Sequence, residues 1–168
     1  MKRHCTVLVA VALVVTAACG RDTGNSTETA KETILTAETL GEQTVLSASE
    51  YLATAEFANA NVEKGARQAL LCKACHSLEK GRVNMIGPNL FGFFGNRIGT
   101  VEGFDYSKAV MEAEFVWTPR ALDAWLVQPG RFLPGNRMTF AGVGNADNRL
   151  DLIAYLLTVT DDGQQRDE

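Results

Sequence analysis

Hydrophobic and polar positions divide the 168-residue chain into stretches of different character. Thr6 to Thr16 is an almost unbroken apolar run. From Gly20 to about Glu56 the chain is polar, dominated by Thr, Glu, Ala and Ser. Ile34, Leu35, Leu40, Val45, Leu46, Tyr51 and Leu52 are scattered through that stretch, enough for short fraying helices but not for a core. Beyond about Phe57 the apolar residues regain helical order. Val62-Glu63-Lys64-Gly65 leads into a first helix that ends near residue 76. Thr118-Pro119 opens a second, with Thr118 as N-cap and Pro119 at the first helical position. Leu122, Trp125 and Leu126 form its apolar face. A third helix is predicted from roughly Ala146 to Val159, with Leu150, Ile153, Ala154 and Leu157 inward, and from Asp161 the chain is polar and acidic.

Length suggests one domain with appendages. The composition, 46% hydrophobic and 21% charged with a formal net charge of −4, is that of a soluble globular protein and gives no sign of nucleic-acid binding. The N-terminus has the three parts of a secretory signal: Lys2 and Arg3, the apolar run, and Thr16-Ala17-Ala18. The run is short of the about 20 residues a helix needs to cross a bilayer. Val15-Thr16-Ala17-Ala18-Cys19 resembles a bacterial lipobox, which would make residues 1–18 a signal peptide and Cys19 a lipidated N-terminus. Ordinary cleavage near Ala17 is the alternative, and Cys5 is incidental to the leader. Residues 19–56, with two cations against seven anions after Cys19, are expected to be a flexible acidic tether with a reach of roughly 30–36 Å.

The chemistry sits at Cys72-Lys73-Ala74-Cys75-His76. Two cysteines three apart with a histidine after the second read as a c-type haem attachment site. Residues three apart share a face of a helical turn, so both thiols can reach the vinyl groups along one porphyrin edge while His76 projects toward the iron. The competing readings are a structural cysteine pair and a thioredoxin-like motif, but the latter needs a βαβ setting that this stretch lacks.

From about Phe57 to Thr160 the chain resembles a class I cytochrome c of the mitochondrial and α-proteobacterial type, through the haem motif, Ile86-Gly87-Pro88-Asn89-Leu90, Gly103-Phe104-Asp105-Tyr106-Ser107, Trp117, Pro134-Gly135-Asn136-Arg137-Met138 and Asp151-Leu152-Ile153-Ala154-Tyr155-Leu156. The resemblance implies an all-α domain over residues 57–160, its first and last helices crossing at Gly65, around one haem c held by Cys72 and Cys75. Ala69 stands where relatives often have a bulky aromatic, which implies a different packing of that crossing. His76 and Met138 would be the axial ligands, with the Pro88 carbonyl orienting the imidazole. Met85 and Met111 are weaker candidates, lacking the Pro-Gly framing of Met138. Tyr106 and Trp117 would meet haem propionates, as would either Asn96 or Arg97. Asn136 would bond a propionate or distal water, and Phe140 would shield the haem edge. Trp125 replaces a tyrosine and so removes a phenolic hydroxyl near the distal sulfur.

A closed iron leaves outer-sphere electron transfer rather than catalysis. The reading is a monomeric periplasmic carrier, lipid-anchored to a membrane, between a quinol:cytochrome c reductase and a terminal oxidase. The rivals are a haem peroxidase and a gas-sensing domain with a displaceable methionine. Residues 57–160 carry eleven Lys and Arg against nine Asp and Glu. Lys73, Lys80, Arg82, Arg131 and Arg137 flank the ligand segments and would steer acidic partners.

Overall fold

A computed structural model of the chain describes residues 35–161 and 163. The signal segment, Cys5, Cys19 and the first part of the acidic stretch lie outside the described residues, as does the tail from residue 164. The described elements are helices: α1 (Ala48–Leu52), α2 (Val62–Gln68), α3 (Leu70–Lys73), α4 (Lys108–Glu112), α5 (Pro119–Val127), α6 (Pro129–Phe132) and α7 (Ala146–Val159), with a 3₁₀ turn at Ala55–Phe57. Among the described residues the only β pairing is an isolated antiparallel bridge between Arg97 and Val116. The all-α expectation holds.

The architecture is organised by the crossing of α2 and α7. Gly65 lies so close to α7 that an added Cβ would sit 2.0 Å from the Asp151 carbonyl oxygen. Asp151 is buried and accepts the Asn61 backbone N–H at 2.6 Å, so a carboxylate on α7 meets the positive end of α2. The Asn61 side chain caps the same end by accepting from Lys64 N. Helix α2 passes into α3 through Ala69, whose own backbone is helical. Ala69 is completely buried, so the position expected to be bulky is instead closely packed with the smallest chiral side chain.

Thr118 caps α5 by accepting from Ala121 N, with Pro119 in the first turn, and Asn145 caps α7. Helix α7 buries more than the expected stripe. Leu152 and Leu156 join Ile153, Ala154 and Leu157, because both α2 and α5 pack against it. Arg149 is also buried. Its guanidinium donates to Asp123 on α5 at 2.7 Å and to the Val143 and Gly144 carbonyls, which satisfies a charge that burial would otherwise penalise.

The region expected to be a flexible tether is corrected in part. Residues 35–56 are packed on the domain: Leu40 is almost fully buried, and the Ala37 N–H donates to the Phe132 carbonyl at 3.1 Å. The Gln43 amide pairs with both backbone groups of Val116, accepting from its N–H at 2.8 Å and donating to its carbonyl at 2.6 Å, and donates again to Thr118 Oγ1. Ser47 and Glu50 form a capping box at α1. The physical reason is anchoring by partners distant in sequence: specific polar contacts and one buried leucine hold a strap whose composition alone would leave it solvated.

Candidate functional site

The loops between α3 and α7 enclose a cavity of about 750 Å³, within the range of about 300–1,000 Å³ typical of small-molecule and cofactor sites. Cys72, Cys75, His76, Pro88, Tyr106, Trp117, Asn136 and Met138 all line it. Met85 and Met111 do not, and both are exposed.

The proximal wall is a turn stitched to a loop. The N–H groups of Cys75 and His76 both donate to the Cys72 carbonyl, which winds the motif into a helical end. Gly87 N–H then donates to the Cys75 carbonyl at 2.8 Å, and Leu90 N–H to Ser77. Asn89 holds the loop from within: its amide donates to the Glu79 and Arg82 carbonyls and its oxygen accepts from Phe91 N. Sequence reasoning assigned Asn89 no role of its own. His76 Nδ1 lies 2.6 Å from the Pro88 carbonyl oxygen. A carbonyl only accepts, so Nδ1 carries the proton and Nε2 keeps its lone pair. Burial lowers the His76 pKa, against the smaller opposing effect of the Pro88 bond, which favours the neutral, ligating form. Burial also pushes the Cys72 thiol up to about 11.

The distal wall is the loop after α6. Trp125 Nε1 donates to Met138 Sδ at 3.3 Å. The expected loss of a hydroxyl near the sulfur therefore does not leave it without a donor. Within the chain, the Asn136 amide nitrogen donates to the Pro129 and Leu133 carbonyls, and its oxygen accepts from the Met138 N–H at 2.9 Å. Its hydrogen bonds therefore shape the Met138 loop. Arg137 pairs with Asp105, tying that loop to the one carrying Tyr106.

Aromatic rings fill the floor in edge-to-face contacts, Trp117 with Phe115, Phe93 and Trp125, and Trp125 with Phe132. The Trp117 backbone is fixed by Gly95 and Asn96 on one side. Burial raises the Tyr106 phenol, against a smaller opposing effect of the Val101 backbone. Asn96 Nδ2 donates to the Gly92 carbonyl, and Arg97 reaches the Met111 carbonyl at 3.2 Å. Both line the cavity. Two thiols one turn apart, a neutral imidazole, a thioether and a largely apolar lining suit a covalently attached haem.

No family model matches the chain. A cytochrome c of Trypanosoma brucei brucei is 50% identical over 82 residues, 49% of this chain and 88% of that protein. The chain belongs to the class I cytochrome c family. Cytochrome c2 iso-2 of Magnetospirillum molischianum, 42% identical over 89 residues (53% of this chain, 91% of the relative), is also similar. So is cytochrome c-550 of Ancylobacter novellus, 40% identical over 103 residues (60% and 96%). As a cytochrome c the chain is an electron carrier rather than an enzyme, and its cofactor is haem c, attached through Cys72 and Cys75.

Proposed function

We propose that this cytochrome c is a periplasmic one-electron carrier, tethered to a membrane through a lipidated Cys19, with His76 and Met138 as the axial ligands of its iron. The observation that carries the reading is a pair of immobilised donors on one cavity, the imidazole held by the Pro88 carbonyl and the thioether by the Trp125 indole. Haem c supplies a one-electron ferric–ferrous couple. The chain holds both donors in place, so that little has to move when the charge changes, and it leaves no position for a substrate. Held by His76 and Met138, the haem would have a higher potential than one held by two imidazoles. Tyr106 and Trp117 are suited to meet propionates with their polar ends, the Trp117 ring in the floor and the Tyr106 ring against Phe104. Asn136 supports the loop that aims Met138.

Electrons would pass from a quinol:cytochrome c reductase to a terminal oxidase. Residues 1–18 as export signal, 19–34 as linker, 35–160 as domain and 161–168 as tail complete the organisation. Cys19 to Leu35 spans sixteen peptide steps, roughly 50–60 Å at full extension. Among the described residues no helix is long and apolar enough to cross a membrane; the means of attachment in this reading is a lipid at Cys19.

The test is the optical spectrum of exported holoprotein. Wild type should show the weak far-red band of sulfur–iron ligation, and Met138→Ala should lose it. A wild type without the band, or with high-spin iron, would sink the closed site and promote the peroxidase and sensor readings. Trp125→Phe refines the result. The indole N–H directs its positive end at the sulfur, which disfavours the ferric state. A hydrogen bond of about 1 kcal/mol corresponds to ~40 mV for one electron. The variant's midpoint potential should therefore fall by about that much, with the far-red band retained. Redox titration reads it, and an unchanged or higher potential would show that the bond does not disfavour the ferric state.

A further inference from the structure

Five of the large hydrophobic side chains exposed among the described residues bracket the haem motif: Leu70 and Leu71 before it, and Val83, Met85 and Ile86 after it. Val83 and Ile86 are 81% and 80% exposed. Leu71 and Ile86 also line the cavity wall. Leu71 and Ile86 thus place exposed apolar surface at the rim of the cavity, beside Cys72.

Of the five cations expected to dominate this face, two pair with carboxylates and two rest against aromatic side chains. Arg82 pairs with Glu79 at 3.3 Å, and Arg137 with Asp105 at 3.1 Å. Lys73 donates to the Tyr155 hydroxyl at 3.0 Å, and Lys80 lies over the Phe91 ring. Between Leu70 and Ile86 the formal charges are Lys73, Lys80 and Arg82 against Glu79, a weak excess in which Arg82 is paired with the anion. Contiguous exposed apolar surface marks interaction sites, and transient redox encounters use small interfaces, below about 1,200 Å².

We propose that the rim formed by Leu70, Leu71, Val83, Met85 and Ile86 is the docking surface for the electron-transfer partner, and that this partner presents an apolar, rather than an acidic, ring around its own redox centre. The inference rests on the carrier reading above and deepens it by naming the partner's surface chemistry. Burial of apolar side chains would fix the encounter next to Cys72, and screening by salt would barely affect it.

The experiment uses holoprotein and two soluble dicopper acceptor domains, one with an apolar rim around its metal port and one with an acidic rim. Stopped-flow oxidation should be faster with the apolar-rimmed acceptor, changing by less than about threefold between ~20 and ~300 mM salt, a range over which screening suppresses charge steering. Leu70→Ser with Val83→Ser, two exposed positions off the cavity wall, should slow that reaction by about tenfold, the slowing appearing in docking rather than in the spectrum. A faster, steeply salt-dependent reaction with the acidic-rimmed acceptor would overturn the proposal, as would an unchanged rate in the double variant. Self-association that the double variant abolishes, measured by sedimentation, would assign the rim to a second copy and overturn it too. Oxidation by ferricyanide separates the two levels: failure there in wild type would remove the carrier reading itself, while success leaves only the docking surface at issue.

Discussion

Replacing Gly65 by alanine should destabilise the domain by about 3 kcal/mol or more. In an exposed helix interior the same change stabilises by roughly 0.5–1 kcal/mol, so the sign depends on the crossing. An added methyl would lie 2.0 Å from the Asp151 carbonyl oxygen, 2.6 Å from its carbon and 2.8 Å from Tyr155 Cβ. Two of those atoms are backbone, and no rotamer change relieves them. The helices must separate, and the Asp151 bond to Asn61 N–H separates with them. Gly130, in α6, has nothing within 4 Å of its would-be Cβ. Gly130→Ala should be neutral or mildly stabilising. Urea unfolding of both holoproteins reads the contrast. Equal midpoints would mean that the α2–α7 approach is looser than described.

Gly87→Ala should leave a folded chain with a damaged proximal ligand. The added Cβ would fall 2.3 Å from His76 Cε1 and 2.7 Å from each ring nitrogen. The imidazole must turn or retreat, and either motion breaks the 2.6 Å bond between Nδ1 and the Pro88 carbonyl. On the proposed ligation, a large fraction of the iron becomes high-spin, and the reduced protein gains carbon monoxide binding. Pro88→Ala is the informative partner, because the acceptor is a main-chain carbonyl that alanine also has, and its spectrum should stay close to wild type. A native spectrum for Gly87→Ala would mean that the ring does not occupy the place described.

Features written in neighbouring residues were legible from the sequence. The Cys72–His76 motif, the Thr118-Pro119 start of α5 and the Ala146–Val159 span each depend on residues a few positions apart, and the structure has them where they were expected. What was missed depends on distant partners. Gln43 reads as an ordinary polar residue until Val116 stands opposite it, and Arg149 until Asp123 does. Trp125 was read as the loss of a hydroxyl, and only the placement of α5 against the Met138 loop brings its indole N–H to the sulfur. The Asn136 amide serves its own loop, a use that short-range turn chemistry favours and that the resemblance did not indicate.

The docked strap also bears on mechanics. Its bonds run from Ala37 to Phe132 and from Gln43 to Val116 and Thr118, so a pull on the N-terminus of residues 35–56 loads them before it loads the α2–α7 crossing. Peeling the strap would release those 22 residues, roughly 70–80 Å of contour, with the haem motif and the Met138 loop outside the peeled segment. For a protein held by Cys19, the strap would then act as a stored length of line: short at rest, and paid out under tension before the electron-carrying core is strained.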